Sequence, residues 1–208
     1  MLLGNSMAFA AAEGSVSTGW VLGKLARPAP MRTSFVELRG SKLLKQPLRV
    51  SGEYRRPDKD SFVRDVRAPY PEVTTIRAGQ ATITRAGKSR TYALSRAPEL
   101  AGLQSSFGAL LSGDRTLLER HYTLATSGTQ QQWQMTLTPK DKAMAARVRS
   151  IMLYGRGSEL RCIETQSASA GKAAPGEVQR TLLATTARSA PASLGMDAMA
   201  TLCHGGQS

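Results

Sequence analysis

The chain has 208 residues, of which 41% are hydrophobic but only 5% aromatic. That suffices for one domain whose core rests on Leu, Val, Ile, Met and Ala, and it is short for two. Lys and Arg outnumber Asp and Glu by 28 to 15, a net charge of +13 that favours anionic partners, while the lack of any run of about 18 apolar residues excludes a spanning helix.

The chain opens with Met1-Leu2-Leu3 and then Met7-Ala8-Phe9-Ala10-Ala11-Ala12 ahead of Glu13-Gly14. An apolar stretch ending in small residues reads as the remnant of an export signal over residues 1–14. Residues 15–30 then read as a short helix. Trp20, Val21, Leu22 and Leu25 are its apolar positions, and Pro28 and Pro30 stop it.

From Thr33 the apolar period changes from helical to two. Strands are expected over 33–39, 48–56, 61–68, 72–76, 81–85 and 89–94, bounded by turn residues. In the second, Leu48, Val50, Gly52, Tyr54 and Arg56 share one face. Arg77-Ala78-Gly79-Gln80 and Ala86-Gly87-Lys88 have the composition of tight hairpin turns.

A helix then interrupts the strands. Pro98 starts it, Leu100, Leu103, Phe107, Leu110 and Leu111 form a stripe at helical spacing, and Gly113 suits its end. Asp114 is placed to cap a further turn holding Leu117 and Leu118. Strands resume over 120–126, 131–139, 148–154 and 159–166, with 140–147 a loop or one helical turn. A last strand covers 177–186, and residues 188–208, small and polar with scattered Met and Leu, read as a disordered tail. Short connections imply antiparallel pairing. The pattern predicts a mainly β, α+β fold: one domain over 15–187, a large antiparallel sheet with helices on one face.

Catalytic and metal chemistry find little support. His121 is expected in a strand and His204 in the tail, neither with a partner at metal-ligand spacing, so no metal or cofactor is expected. Gly87-Lys88-Ser89 lacks the first glycine of a phosphate loop, and Gly155-Arg156-Gly157-Ser158 belongs to a hairpin turn rather than a serine elbow. The basic residues are spread from Lys24 to Arg188 with no basic-aromatic motif, which argues against nucleic acid. A module for anionic surfaces or nucleic acid and a hydrolase acting on lipids stay open as readings. Cys162 and Cys203 either form one disulfide in an oxidising compartment or stand apart as a strand thiol and a tail thiol.

The order of elements resembles the outer-membrane lipoprotein carrier family of the LolA type. The resemblance rests on Thr33-Ser34-Phe35-Val36-Glu37, on Ser51-Gly52-Glu53-Tyr54-Arg55-Arg56-Pro57, on the strand from Phe62 to Pro69, on Leu110-Leu111-Ser112-Gly113 and on Trp133-Gln134-Met135-Thr136-Leu137-Thr138-Pro139-Lys140. It spans roughly residues 17–186. It implies an unclosed β-barrel with a helical lid over an apolar cavity, and a periplasmic, non-enzymatic, monomeric carrier of lipoprotein acyl chains. Such a carrier is loaded by an inner-membrane ABC transporter and unloaded at an outer-membrane acceptor. The few aromatics and the polar tail set this chain apart from the family, leaving another lipid or a lipid-linked pigment open as cargo.

On this reading Phe35, Val50, Tyr54, Phe62, Trp133, Met135 and Leu137 line the cavity, and Leu100, Leu103, Phe107, Leu110 and Leu111 face it from the lid. Arg56 either points to solvent beside Arg55 or, on the apolar face of its strand, needs acceptors there. Carbonyls of the closed lid would supply them, and the resemblance places the family's lid-contacting arginine at this position.

Overall fold

The computed structural model describes residues 15–39, 47–94, 109–168 and 178–205. Helix α1 (Thr18–Leu25) begins where the Ser17 side chain accepts a hydrogen bond from the Trp20 amide, and it buries Val21, Leu22 and Leu25. Eleven strands follow: β1 (Met31–Arg39), β2 (Leu48–Arg56), β3 (Ser61–Ala68), β4 (Glu72–Arg77), β5 (Gln80–Arg85), β6 (Lys88–Ala93), β7 (Tyr122–Gly128), β8 (Trp133–Pro139), β9 (Val148–Arg156), β10 (Glu159–Ser167) and β11 (Val178–Leu183).

They form one antiparallel sheet in the order β6-β5-β4-β3-β2-β1-β11-β10-β9-β8-β7. The pairing of β1 with β11 joins two meanders into one surface, Phe35 opposite Leu183 and Val36 opposite Leu182. Among the described residues nothing pairs β6 with β7, so the barrel stays open along that seam. The hairpin turns have the chemistry expected of them. Ala78 and Gly79 between β4 and β5, and Ala86 and Gly87 between β5 and β6, all take positive φ, as two-residue turns of matching twist require.

Strand alternation divides the sheet into two faces with separate cores. The inner core gathers Phe35, Val50, Tyr54, Phe62 and Val66 with Trp133, Met135, Leu137 and Leu153, covered by α1 and a helical turn at 109–112. The outer core is smaller: Val36, Leu38, Cys162 and Leu182 pack under α4 (Ala184–Ser189) and α5 (Met196–Cys203).

Several expectations need correction here. Residues 188–205 are not a disordered tail. Leu194, Met199 and Leu202 pack on Val36, Leu38 and Leu182, and Cys203 is bonded to Cys162 with Cα atoms 5.1 Å apart. The spacing of Met199, Leu202 and Cys203 carries the apolar stripe that betrays this helix. The last strand stops at Leu183, because Ala184 takes φ 49° and turns the chain into α4.

His121 ends a helix, α2 (Arg115–His121), rather than sitting in a strand. Asp114 caps α2 through the Leu117 amide at 2.8 Å, and an Arg115–Glu119 ion pair one turn apart extends it past the single turn expected. The stretch 140–147 holds one helical turn, α3 (Lys142–Ala145), capped by Asp141.

Candidate lipid-binding site

The seven residues expected along the cavity all lie in the inner core. Period-two alternation puts Trp133, Met135 and Leu137 on one side of β8, and Phe35 on the same side of β1. Phe35, Tyr54 and Phe62 stack in sequence, with ring centroids 4.5 and 5.4 Å apart. The backbone makes room for two of these contacts. Gly52 lies so close to Asp65 that a Cβ would overlap the Asp65 carbonyl, at a register shift between β2 and β3. Gly155 lies under the Trp133 ring, and a Cβ there would overlap it. The Trp133 indole N–H is satisfied by the Gly157 carbonyl at 2.9 Å.

An apolar pocket of about 340 Å³ opens between this wall and its helical cover. Leu25 of α1 and Leu110 and Leu111 of the 109–112 turn form the roof, with Tyr54, Phe62, Leu160 and Leu183 below. Of the seven predicted wall residues, Tyr54 and Phe62 line it. Phe35, Met135 and Trp133 are at most 2% exposed and belong to the packed core beside it. Leu110 is buried and Leu111 half-buried, while Leu100, Leu103 and Phe107 lie outside the described residues. Sequence reasoning missed Leu25, Leu160 and Leu183 as pocket residues, because only the meeting of α1, β10 and β11 brings them together.

Arg56 is turned inward and only 9% exposed, as alternation along β2 requires. Among the described residues its acceptors are the Arg27 carbonyl, 3.4 Å from Nη1, and the Lys59 carbonyl, 3.4 Å from Nη2. Both are long for hydrogen bonds. The first acceptor follows α1, yet it is tied to the cover, since the Arg27 amide donates to the Leu111 carbonyl at 2.8 Å. Arg56 therefore reaches the 109–112 turn through Arg27.

A polar group interrupts the apolar wall. Glu37, 3% exposed, accepts from the Tyr54 hydroxyl at 2.9 Å and from Arg64 Nη2 at 2.8 Å, and the Arg64 guanidinium lies 4.9 Å from the centre of the Phe35 ring. Burial, and next the Glu37 charge, hold the Tyr54 hydroxyl well above its ordinary pKa. Burial pulls the Arg64 pKa down, but Glu37 and Tyr54 more than offset it and the net direction is up.

A larger hollow of about 860 Å³ lies beside the end of α5 and is lined by Gln131, Gln134, Arg161 and His204. Its polar walls suit water better than a hydrocarbon chain. Nearby, Glu164, Cys203 and His204 bring their ligand atoms within 4.8 Å of one another. The Cys203 sulfur is bonded to Cys162, however, and Glu164 is held by Arg180 at 2.8 Å, so this cluster is not a set of zinc ligands.

An open antiparallel sheet wrapped around an apolar pocket, with helices for a cover, defines a carrier fold for lipids or lipoproteins. The chain belongs to the family described as outer membrane lipoprotein carrier protein LolA-like, whose model matches residues 10–206. A crystal structure of a LolA superfamily protein from Nitrosomonas europaea is similar at 12% identity and a TM-score of 0.42, covering 81% of this chain and 92% of that one. No curated protein matches. Among the described residues no helix is long and apolar enough to cross a membrane.

Proposed function

We propose that this protein carries a lipid-tailed molecule, the acyl chains of a lipoprotein or of another lipid, through the periplasm in the pocket beneath α1 and the 109–112 turn. The observation that carries the reading is the apolar pocket itself, open between the sheet and a cover to which Arg56 is joined by one long hydrogen bond. Each methylene moved from water into it contributes about 0.8 kcal/mol, so a short length of chain gives useful affinity. The Cys162–Cys203 disulfide favours an oxidising compartment, in keeping with the periplasm. Loading by an inner-membrane ABC transporter and delivery to an outer-membrane acceptor complete the reading. Arg56 acts as the latch: with the pocket empty, its bond to the Arg27 carbonyl favours closure.

The test is binding followed by transfer. The protein should bind a fluorescent fatty acid at one saturable site and pass it to acceptor vesicles. Arg56→Leu removes the donor to Arg27 and should release cargo more slowly than Arg55→Leu, whose side chain pairs with Asp65 away from the pocket. Absence of saturable binding would sink the carrier reading; equal release from the two variants would sink the latch.

A further inference from the structure

The pocket has a charged mouth that sheltering a hydrocarbon does not explain. Its deep walls are Leu25, Tyr54, Phe62, Leu110 and Leu183, all buried, whereas Arg27, Arg32 and Arg188 line it from the exposed side. They come from two distant places in the chain: Arg27 and Arg32 from the stretch that links α1 to the start of β1, and Arg188 from the end of α4. Among the described residues none of the three is within ion-pair distance of a carboxylate.

Among the described residues one carboxylate lines the pocket, and its cited donors are uncharged. Glu159 accepts from the Thr185 amide at 2.8 Å and from the Thr185 hydroxyl at 3.1 Å. Arg188 Nη2 donates to that same hydroxyl at 3.0 Å, which orients its guanidinium without neutralising it. Arg27 is held by neutral carbonyls, those of Lys24 and Ala26 through Nη1 and of Ser158 through Nη2. Arg32 has no side-chain partner among the described residues. Arg27 and Arg188 are thus fixed in place by neutral acceptors, and with Arg32 they outnumber Glu159, so among the described residues the mouth carries an excess of positive charge. Fixed, unneutralised donors suit phosphate or carboxylate, which they engage with little further ordering.

The volume narrows the ligand further. A cavity of roughly 150 Å³ holds a benzene, so about 340 Å³ has room for on the order of a dozen carbons, one acyl chain rather than several. From the apolar depth, the arginine mouth and the volume together, we infer that the pocket takes a single acyl chain bearing an anionic head group, phosphate or carboxylate, with the head held by Arg32 and Arg188 beside Arg27. This inference rests on the carrier reading and narrows its cargo to acidic lipids.

The test titrates the full chain with lauroyl lysophosphatidic acid, with the monolauroylglycerol that lacks its phosphate, and with glycerol phosphate. Wild type should bind the phosphate lipid at least about tenfold more tightly than the neutral one, the scale of one charge-assisted hydrogen bond. Added salt should shrink that preference. Arg32→Gln with Arg188→Gln should remove most of that preference, Arg27 keeping a remainder, and each single variant should fall between. Arg90→Gln on the edge strand β6 serves as a control for lost charge and should keep the full preference. Equal binding of both lipids by wild type would overturn the head-group inference and leave the carrier standing. Glycerol phosphate binding as tightly as the lipid would overturn it in favour of a plain anion site. Binding of neither lipid would overturn the carrier reading and this inference with it.

Discussion

The inner face of the sheet buries Phe35, Tyr54, Phe62 and Trp133 and still leaves a hollow of about 340 Å³. The outer face buries Val36, Leu38 and Leu182 under two short helices and closes with a disulfide. Folded interiors are ordinarily packed to crystal density. A face that must admit cargo forgoes part of that packing, so contacts elsewhere must hold the sheet's shape. Here the covalent tie lies on β10 and α5, away from the pocket, and the inner wall is pinned by the Glu37–Arg64–Tyr54 group.

The contrast is broken most sharply at Glu37. Glu37→Ala strands the Arg64 guanidinium, 15% exposed, against the Phe35 ring. Loss of one partner of a buried pair costs about 3–5 kcal/mol, to be read as a fall in the urea midpoint. The neutral isostere Glu37→Gln should cost less.

Replacing Cys162 and Cys203 together with Ala tests the other face. The bridge closes a loop with a sequence separation of 41, and its loss should lower stability by about 2–4 kcal/mol. Affinity for a fluorescent fatty acid should hardly change, since neither cysteine lines the pocket. A large loss of binding would mean the two faces are coupled.

A smaller effect is expected at Gly155. The Ala methyl would overlap the Trp133 ring, and overpacking of this kind costs about 1–3 kcal/mol. Displacement of Trp133 from its bond to Gly157 should also shift the tryptophan emission.

The smallest effect is in alkali. A hydroxyl whose folded pKa is raised contributes stability that is present below its unfolded pKa of 10.0 and is lost as pH rises beyond it. Above that point the wild type should lose up to about 1.4 kcal/mol per pH unit through Tyr54. Tyr54→Phe should remove this slope. Tyr154, raised by burial and then by Glu164, is far less buried, so Tyr154→Phe should flatten the curve less. The reverse order would place the buried hydroxyl of greater consequence on the outer face.

The inner core is legible in the sequence better than the pocket is. Alternation within single strands sets Val50 and Tyr54, and Trp133, Met135 and Leu137, on one face, and with Phe35 and Phe62 they share one core, although only Tyr54 and Phe62 line the pocket. Alternation also turned Arg56 inward, but not toward its acceptor, because the Arg27 carbonyl belongs to an element 29 residues away. The outer face is hard to tell from a tail in the sequence, since its helices are short and rich in Ala, Ser and Thr and bury their few apolar side chains only against Val36, Leu38 and Leu182.

By itself the sequence determined what depends on near neighbours along the chain. These are the side on which a strand residue points, the Ala-Gly hairpin turns and the cap at Asp114. Tertiary structure alone decided what depends on strand order. Pairing β11 with β1 brings the C-terminal half against the N-terminal half. That pairing draws Arg188 to the same mouth as Arg27 and Arg32, and the packing of α5 on the outer face carries Cys203 to Cys162. The physical reason is range: dihedral preference and period act over a few residues, whereas a pocket is made by surfaces that meet only after the whole sheet has curled.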